Sequence, residues 1–300
     1  MLRFVPFVPS WFNVFNRMAQ TKKQIQSLLS GASTSPRHRF GQNFMIDQNL
    51  VRLVAAAGEL GPGDVAIEVG PGTGTLTEQL LASPAARVVA VEIDRDLAAL
   101  LRERLGHDAR FQLIEGDALD GKHAINAELL EVVRASPDRA KLVANLPYNI
   151  ASPLVIELLL AGVATLAFTV QKEVADRLRA GAGSDAYGPL SVVAQMLSRV
   201  EVLRTLPPQA FWPAPKIESA LVRMTREDRL GNRAAPFGNF IRKVFSARRK
   251  TMRKAMTLAG LPAEQLLERA GLDGQRRPEE FSPEQLWQLF ELGYAASGSE

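Results

Sequence analysis

From Gly61 to about Arg223 short β-branched runs alternate with segments of helical character, and this alternation limits the fold more than any other feature of the chain. Strands separated by helices cannot pair through tight turns. They pair in parallel, and the crossover helices cover both faces of the sheet. Five candidate strands are Val65–Val69, Val88–Glu92, Phe111–Ile114, Lys141–Ala144 and Leu166–Val170. Val200–Leu203 and Ala220–Met224 add a late pair, separated by the turn-rich Pro207-Pro208 and Pro213-Ala214-Pro215, which predicts an antiparallel hairpin with a long connection at one edge. The expected architecture over residues 36–225 is α/β, a doubly wound, mostly parallel sheet of seven strands.

After Thr225 the pattern changes to helices joined by Gly and Pro, so residues 226–300 read as a smaller all-α C-terminal domain. Phe237, Phe240, Ile241, Val244 and Phe245 recur at helical spacing and form one apolar stripe. Ser282-Pro283-Glu284-Gln285 combines an N-cap serine, proline at the first helical position and glutamine three residues after the cap, and Leu286, Leu289 and Phe290 follow on one face. Residues 1–35 show no sustained helical period and read as a poorly ordered extension. Their acid-free, arginine-containing start also has the composition of an organelle presequence, and Met18, ahead of a polar helix-like stretch, offers an alternative start.

Composition excludes several chemistries. The chain has no cysteine and three histidines, His38, His107 and His123, in separate segments, so neither disulfides nor a metal site is expected. No apolar run approaches the ~20 residues needed to cross a bilayer, and a reducing cytosol fits the composition. The net charge of +4 is unevenly spread: residues 1–46 hold six Lys/Arg and residues 229–263 hold nine, neither stretch has an acid, and the remainder carries −11. Arg242, Lys243, Arg248, Arg249, Lys250, Arg253 and Lys254 fall within thirteen residues. Such segregation predicts a phosphate-contacting surface, centred on Arg248, Arg249, Lys250, Arg253 and Lys254.

Val65–Val69 runs into Gly70-Pro71-Gly72-Thr73-Gly74, a glycine-rich turn that lets backbone approach a ligand closely. It is not a dinucleotide fingerprint, because Thr75 stands where a third glycine is required, and no Walker Gly-Lys-Ser/Thr is present. Glu92 ends the next strand, placed to accept both hydroxyls of a ribose. Asp117 follows the third strand and can accept from an adenine amino group. Ribose, adenine and no grip for phosphate point to S-adenosylmethionine.

The tetrapeptide Asn145-Leu146-Pro147-Tyr148 ends the fourth strand. An exocyclic amine is a poor nucleophile while its lone pair is delocalised into the ring, so a catalyst must hold both hydrogens. Asn145 can accept one with its side-chain carbonyl and Leu146 the other with its backbone carbonyl, since Pro147 disfavours the α conformation at Leu146. Tyr148 can stack on the base, an interaction of roughly 1–3 kcal/mol.

Together with Phe40-Gly41-Gln42-Asn43-Phe44 after Arg39, Gln171-Lys172-Glu173-Val174, Phe211-Trp212-Pro213-Ala214-Pro215-Lys216 and Val244-Phe245-Ser246-Ala247-Arg248-Arg249-Lys250, these segments resemble the ribosomal RNA adenine dimethyltransferases, specifically the small-subunit (16S) branch, over about residues 37–290. The resemblance implies a Rossmann-like methyltransferase sheet. It implies that Asn43, Met45, Gly70, Gly72, Glu92, Asp117 and Asn145 contact S-adenosylmethionine, that Tyr148 stacks on the target and that Phe211 is a second aromatic enclosing it. It also implies two adjacent adenines in the 3′-terminal hairpin of small-subunit RNA as target, methylated on an immature 30S particle by a cytoplasmic monomer without metal or membrane. Met45 stands where the family more often has leucine, and Pro189 where it often has a basic residue. The competing readings are a 23S rRNA or DNA adenine methyltransferase and a non-catalytic assembly or transcription factor that keeps the fold.

Overall fold

The computed structural model describes residues 20–32, 34–37, 40–121, 124–227 and 229–297. Residues 1–19, on which the presequence and alternative-start readings fall, lie outside them, as do His38, Arg39 and His123. Among the described residues nine strands are formed: β1 Phe44–Met45, β2 Val65–Val69, β3 Arg87–Glu92, β4 Phe111–Glu115, β5 Ala140–Asn145, β6 Thr165–Gln171, β7 Ser198–Leu206, β8 Phe211–Trp212 and β9 Ser219–Arg226. Twelve α-helices accompany them: α1 Lys22–Gly31, α2 Gln48–Ala57, α3 Thr75–Ala82, α4 Arg95–Leu105, α5 Ala127–Arg134, α6 Ala151–Ala161, α7 Lys172–Leu178, α8 Pro189–Leu197, α9 Ala234–Ser246, α10 Met252–Leu258, α11 Ala263–Ala270 and α12 Pro283–Ser297.

Seven strands form one sheet in the order β4-β3-β2-β5-β6-β9-β7, and β1 pairs with β8 in a separate two-stranded ribbon. The first five are parallel, and β9 inserts antiparallel between β6 and β7, as the long connection after Leu206 predicts. Every residue of β2 is buried, because helices cover both faces; Val65, Ala66, Ile67 and Val69 therefore place apolar side chains on both faces, with Glu68 the one acid among them.

One apolar cluster runs from the sheet, through Ile67, Leu142 and Phe168, to Phe237, Phe245, Leu286 and Phe290 in the C-terminal helices. The change of class after β9 is sharp, but the core crosses it. The predicted stripe on α9 is buried, Phe237 meets Trp287 edge-on at 5.2 Å, and Ser282 and Gln285 exchange the two hydrogen bonds of a capping box.

The expectation of a poorly ordered segment through residue 35 does not hold for residues 20–32. Thr21 and Gln24 form a capping box for α1, and the helix buries Ile25 and Leu29 against Phe44 and Leu97. Its three apolar residues, Ile25, Leu28 and Leu29, span little more than one turn, too short a run for a sustained period, and ten residues are too few for an independent helix, so packing stabilises it.

Candidate active site

The strand order reverses between β2 and β5, and open α/β sheets bind ligands outside the carboxyl ends of strands at such a reversal. The β2–β5 ladder pairs only Val65–Ile67 with Ala140–Leu142, although β2 continues to Val69 and β5 to Asn145. Their ends part and leave a cleft. It is lined by the glycine turn after β2, Glu92 and Ile93 after β3, Gly116 and Asp117 after β4, Asn145–Ile150 after β5, and Phe40–Met45, which crosses from the amino-terminal side.

Gly70 and Gly72 have φ of +73° and +60°. A Cβ on Gly70 would lie 3.0 Å from the Pro147 ring, and one on Gly72 would lie 2.8 Å from the Phe44 ring. Both conformation and space therefore demand glycine, and the glycine turn is locked against the two neighbouring segments of the cleft.

Glu92 is 3% exposed, and each carboxylate oxygen accepts one backbone N–H, from Gly72 at 3.1 Å and Asp94 at 2.9 Å. Burial pushes its carboxyl up to about 7, and the two backbone donors partly offset that shift. Glu68, at the end of β2, is also buried and lines the cleft; one of its oxygens has no partner. Burial pushes it up to about 8, and the Glu92 charge adds to the shift. Asp117 is exposed in the cleft, with one oxygen accepting from the Leu119 amide at 3.0 Å.

The Asn145 side-chain nitrogen donates to the Asn43 backbone carbonyl at 2.6 Å, and its oxygen accepts from the Thr169 hydroxyl. A backbone carbonyl can only accept, so the amide cannot be reversed without losing that bond. The oxygen keeps a second lone pair. Asn43 turns its own side chain onto the Gly41 carbonyl at 3.2 Å. Leu146 is buried, Pro147 packs on Gly70, and the Pro147 carbonyl accepts from the Ile150 amide at 3.2 Å just ahead of α6. Tyr148 lines the cleft while its hydroxyl is tied to the Ser219 hydroxyl at 2.6 Å; burial pushes the phenol above its ordinary value and the Ser219 bond opposes this.

Phe211 departs from expectation. It is 2% exposed, pairs with Met45 across the β1–β8 ribbon, and packs with Leu50, Val51 and Leu221 rather than lining the cleft. The proline-rich surroundings suggested a loop aromatic, but strand pairing turns this ring into the core. Met45 serves both, lining the cleft and joining that core.

The family model for ribosomal RNA adenine dimethylase matches residues 33–293. The chain belongs to this family. Similar proteins include the ribosomal RNA small subunit methyltransferase A of Parasynechococcus marenigrum, 41% identical over 266 residues and covering 84% of each chain. The protein of that name from Methylococcus capsulatus is 40% identical over 256 residues, covering 82% of this chain and 93% of its own. A dimethyladenosine transferase from Plasmodium falciparum has the same fold, with a TM-score of 0.66 at 22% identity over 85% of this chain and 98% of that one. The 23S rRNA methyltransferase ErmE follows at 0.57 and 27% identity, covering 84% and 100%.

Within this ribosomal RNA adenine dimethylase, Arg248, Arg249 and Lys250 are exposed in the turn between α9 and α10, and Arg253 and Lys254 are exposed on the first turn of α10. Arg242 is drawn out of the set by its bonds to Glu157 and Asn239. Among the described residues no cluster of three or more His, Cys, Asp or Glu could hold a metal, and no helix is long and apolar enough to cross a membrane. Sequence reasoning did not single out Thr169 or Ser219. The available signal for Thr169 was a lone hydroxyl in the otherwise apolar Leu166-Ala167-Phe168-Thr169-Val170.

Proposed function

We propose that this enzyme transfers methyl groups from S-adenosylmethionine to the exocyclic amines of two adjacent adenines in the 3′-terminal hairpin of small-subunit ribosomal RNA, on an immature particle. The observation that carries the proposal is the orientation of Asn145, whose carbonyl is held as an acceptor in the same cleft as the Tyr148 ring and the glycine turn. The names of the relatives at 40–41% identity favour the small subunit over 23S RNA, whose enzyme stands at 27%.

The cleft fits the cofactor. The turn at Gly70 and Gly72 has no room for a Cβ, Glu92 retains lone pairs beside its two backbone bonds, Asp117 is open on one oxygen, and buried Glu68 has an oxygen without a partner. These residues, with Asn43 and Met45, would hold it, and when bound it supplies a methyl group on a cationic sulfur. The chain's own work is positioning. Asn145 and the Leu146 carbonyl take the two amine hydrogens, which turns the nitrogen lone pair out of the ring plane, and Tyr148, steadied by Ser219, supports the base face. An uncharged acceptor stabilises the positive charge that develops on nitrogen, so no strong base is needed before transfer. Arg248, Arg249, Lys250, Arg253 and Lys254 contact RNA phosphates and position the substrate without selecting the base. The setting is cytoplasmic, with the enzyme acting as a monomer.

The test is to incubate the enzyme with labelled cofactor and unmodified small-subunit particles, bare 16S RNA, 23S RNA or DNA, and to map the product. Label confined to adjacent adenines of the 16S hairpin is expected. Label in 23S RNA or DNA alone overturns the substrate assignment, and particle binding without label supports a non-catalytic factor.

A further inference from the structure

Gln20 sits beside the N-cap of α1, far from the glycine turn in sequence, yet the two are in direct contact. Its side-chain nitrogen donates to the Thr73 carbonyl at 3.1 Å, and its side-chain oxygen accepts from the Thr73 hydroxyl at 2.7 Å. Gln20 and Thr73 are 5% and 1% exposed, so neither side chain can exchange these bonds for water without moving. The same carbonyl accepts from Arg104 of α4, whose other nitrogen bonds Glu78 at 2.5 Å. Thr73 is therefore held from two sides. It stands between Gly72 and Gly74, both at positive φ, and the Gly72 amide is the group that bonds Glu92.

The second anchor of α1 reaches the same turn. Ile25 and Leu29 are 0% and 2% exposed and pack with Phe44, whose ring limits the space at Gly72. A polar clamp on Thr73 and an apolar seam on Phe44 thus bear on adjacent residues of the turn that lines the cleft.

We propose that Gln20 is a positioning residue for this turn, and that residues 20–31 form a strap whose docking is coupled to cofactor binding; this rests on the assignment of the cleft to S-adenosylmethionine. The strap presets the Gly72–Glu92 bond and the left-handed turn, so the chain does not have to order them when the cofactor arrives. Coupling is reciprocal: whatever the strap contributes to affinity, bound cofactor returns as protection of the strap.

The experiment measures binding of S-adenosylhomocysteine by calorimetry to the full chain, its Gln20→Ala and Thr73→Val variants and the double variant, alongside hydrogen exchange of residues 22–31. Gln20→Ala is expected to raise Kd within the about 5- to 150-fold range of such couplings, with less than about twofold loss of turnover at saturating cofactor. Thr73→Val removes only the hydroxyl bond and keeps the carbonyl that Gln20 also holds, whereas Gln20→Ala removes both, so the double variant should bind no more weakly than Gln20→Ala. In the wild type the nucleoside should slow exchange across residues 22–31. A folded Gln20→Ala with wild-type Kd, or strict additivity in the double variant, overturns the clamp. If Gln20→Ala does not fold, the wild-type exchange experiment decides alone, and exchange indifferent to the nucleoside overturns the coupling. A wild-type chain that does not bind the nucleoside at all overturns the cofactor assignment and this proposal with it.

Discussion

The Thr169 hydroxyl donates to the Asn145 side-chain carbonyl from the register-paired position on the neighbouring strand, and together with the Asn43 carbonyl it fixes which way the amide faces in the cleft. Thr169 is fully buried and makes no contact with the cleft lining other than through Asn145 among its hydrogen bonds. Thr169→Val keeps the side-chain shape and removes the donor, leaving the amide oxygen underpaired at a cost of about 1–3 kcal/mol. Turnover is expected to fall about tenfold, the equivalent of ~1.4 kcal/mol in the barrier, with Kd for the cofactor changed less than about threefold. Thr169→Ser should restore it. Single-turnover methyl transfer and equilibrium dialysis separate the two effects; equal losses in both would remove the positioning role.

At Gly72 a methyl group meets two obstacles, the φ of +60° and the Phe44 ring at 2.8 Å. A non-glycine residue in the left-handed region costs roughly 1–2 kcal/mol before any clash. Gly72→Ala should lower Tm by several degrees, at ~2–4 °C per kcal/mol for a chain of this size. Cofactor affinity should fall more than tenfold, because the ring that must move also bounds the cleft. Calorimetry and thermal melts check both, and unchanged affinity would mean that the turn is not the binding element.

The paired carboxyls Glu68 and Glu92 give a pH signature. Burial raises them to about 8 and about 7 from an ordinary 4.5. Between those limits the folded chain binds more protons than the unfolded one, so their contribution is fully present below about 4.5 and is lost as pH rises through 7 to 8. Denaturant midpoints of the ligand-free enzyme should therefore slope downward from pH 6 to 8.5. Glu68→Gln, neutral at every pH, should flatten that slope. A cationic cofactor favours the ionised carboxyls, so its affinity should rise over the same interval, and pH-independent binding would detach these acids from the site.

The sheet was legible because its strands are buried on both faces and carry their burial in local sequence, as in Val65–Val69 and Leu166–Val170. The glycine turn and Asn145-Leu146-Pro147-Tyr148 were legible because backbone conformation and acceptor type are local properties. What sequence reading missed is settled across distance: Gln20 meets Thr73 53 residues away, Thr169 meets Asn145 24 away, and Tyr148 meets Ser219 71 away. Strand register brings the second pair together, and no periodicity encodes it. Phe211 lies outside the cleft lining for a related reason, since the side of β8 that faces inward is set by its pairing with Met45.

The exposed turn at Arg248, Arg249 and Lys250 offers a test of the substrate surface that does not depend on the chemistry. These side chains lie between two helices whose packing faces point away from them: Phe245 and Met252 on either side are buried. Charge reversal to glutamate should therefore leave Tm within a few degrees. If each residue neutralises one phosphate, the slope of log Kobs against log salt for RNA binding should shrink by about 0.7 to 0.9 per residue, or roughly 2 to 3 for all three. Affinity for S-adenosylhomocysteine should stay at the wild-type value, because the cleft lies on the sheet. Filter binding of the small-subunit hairpin at several salt concentrations measures the slope; a triple variant with the wild-type slope would move the phosphate contacts elsewhere on the molecule.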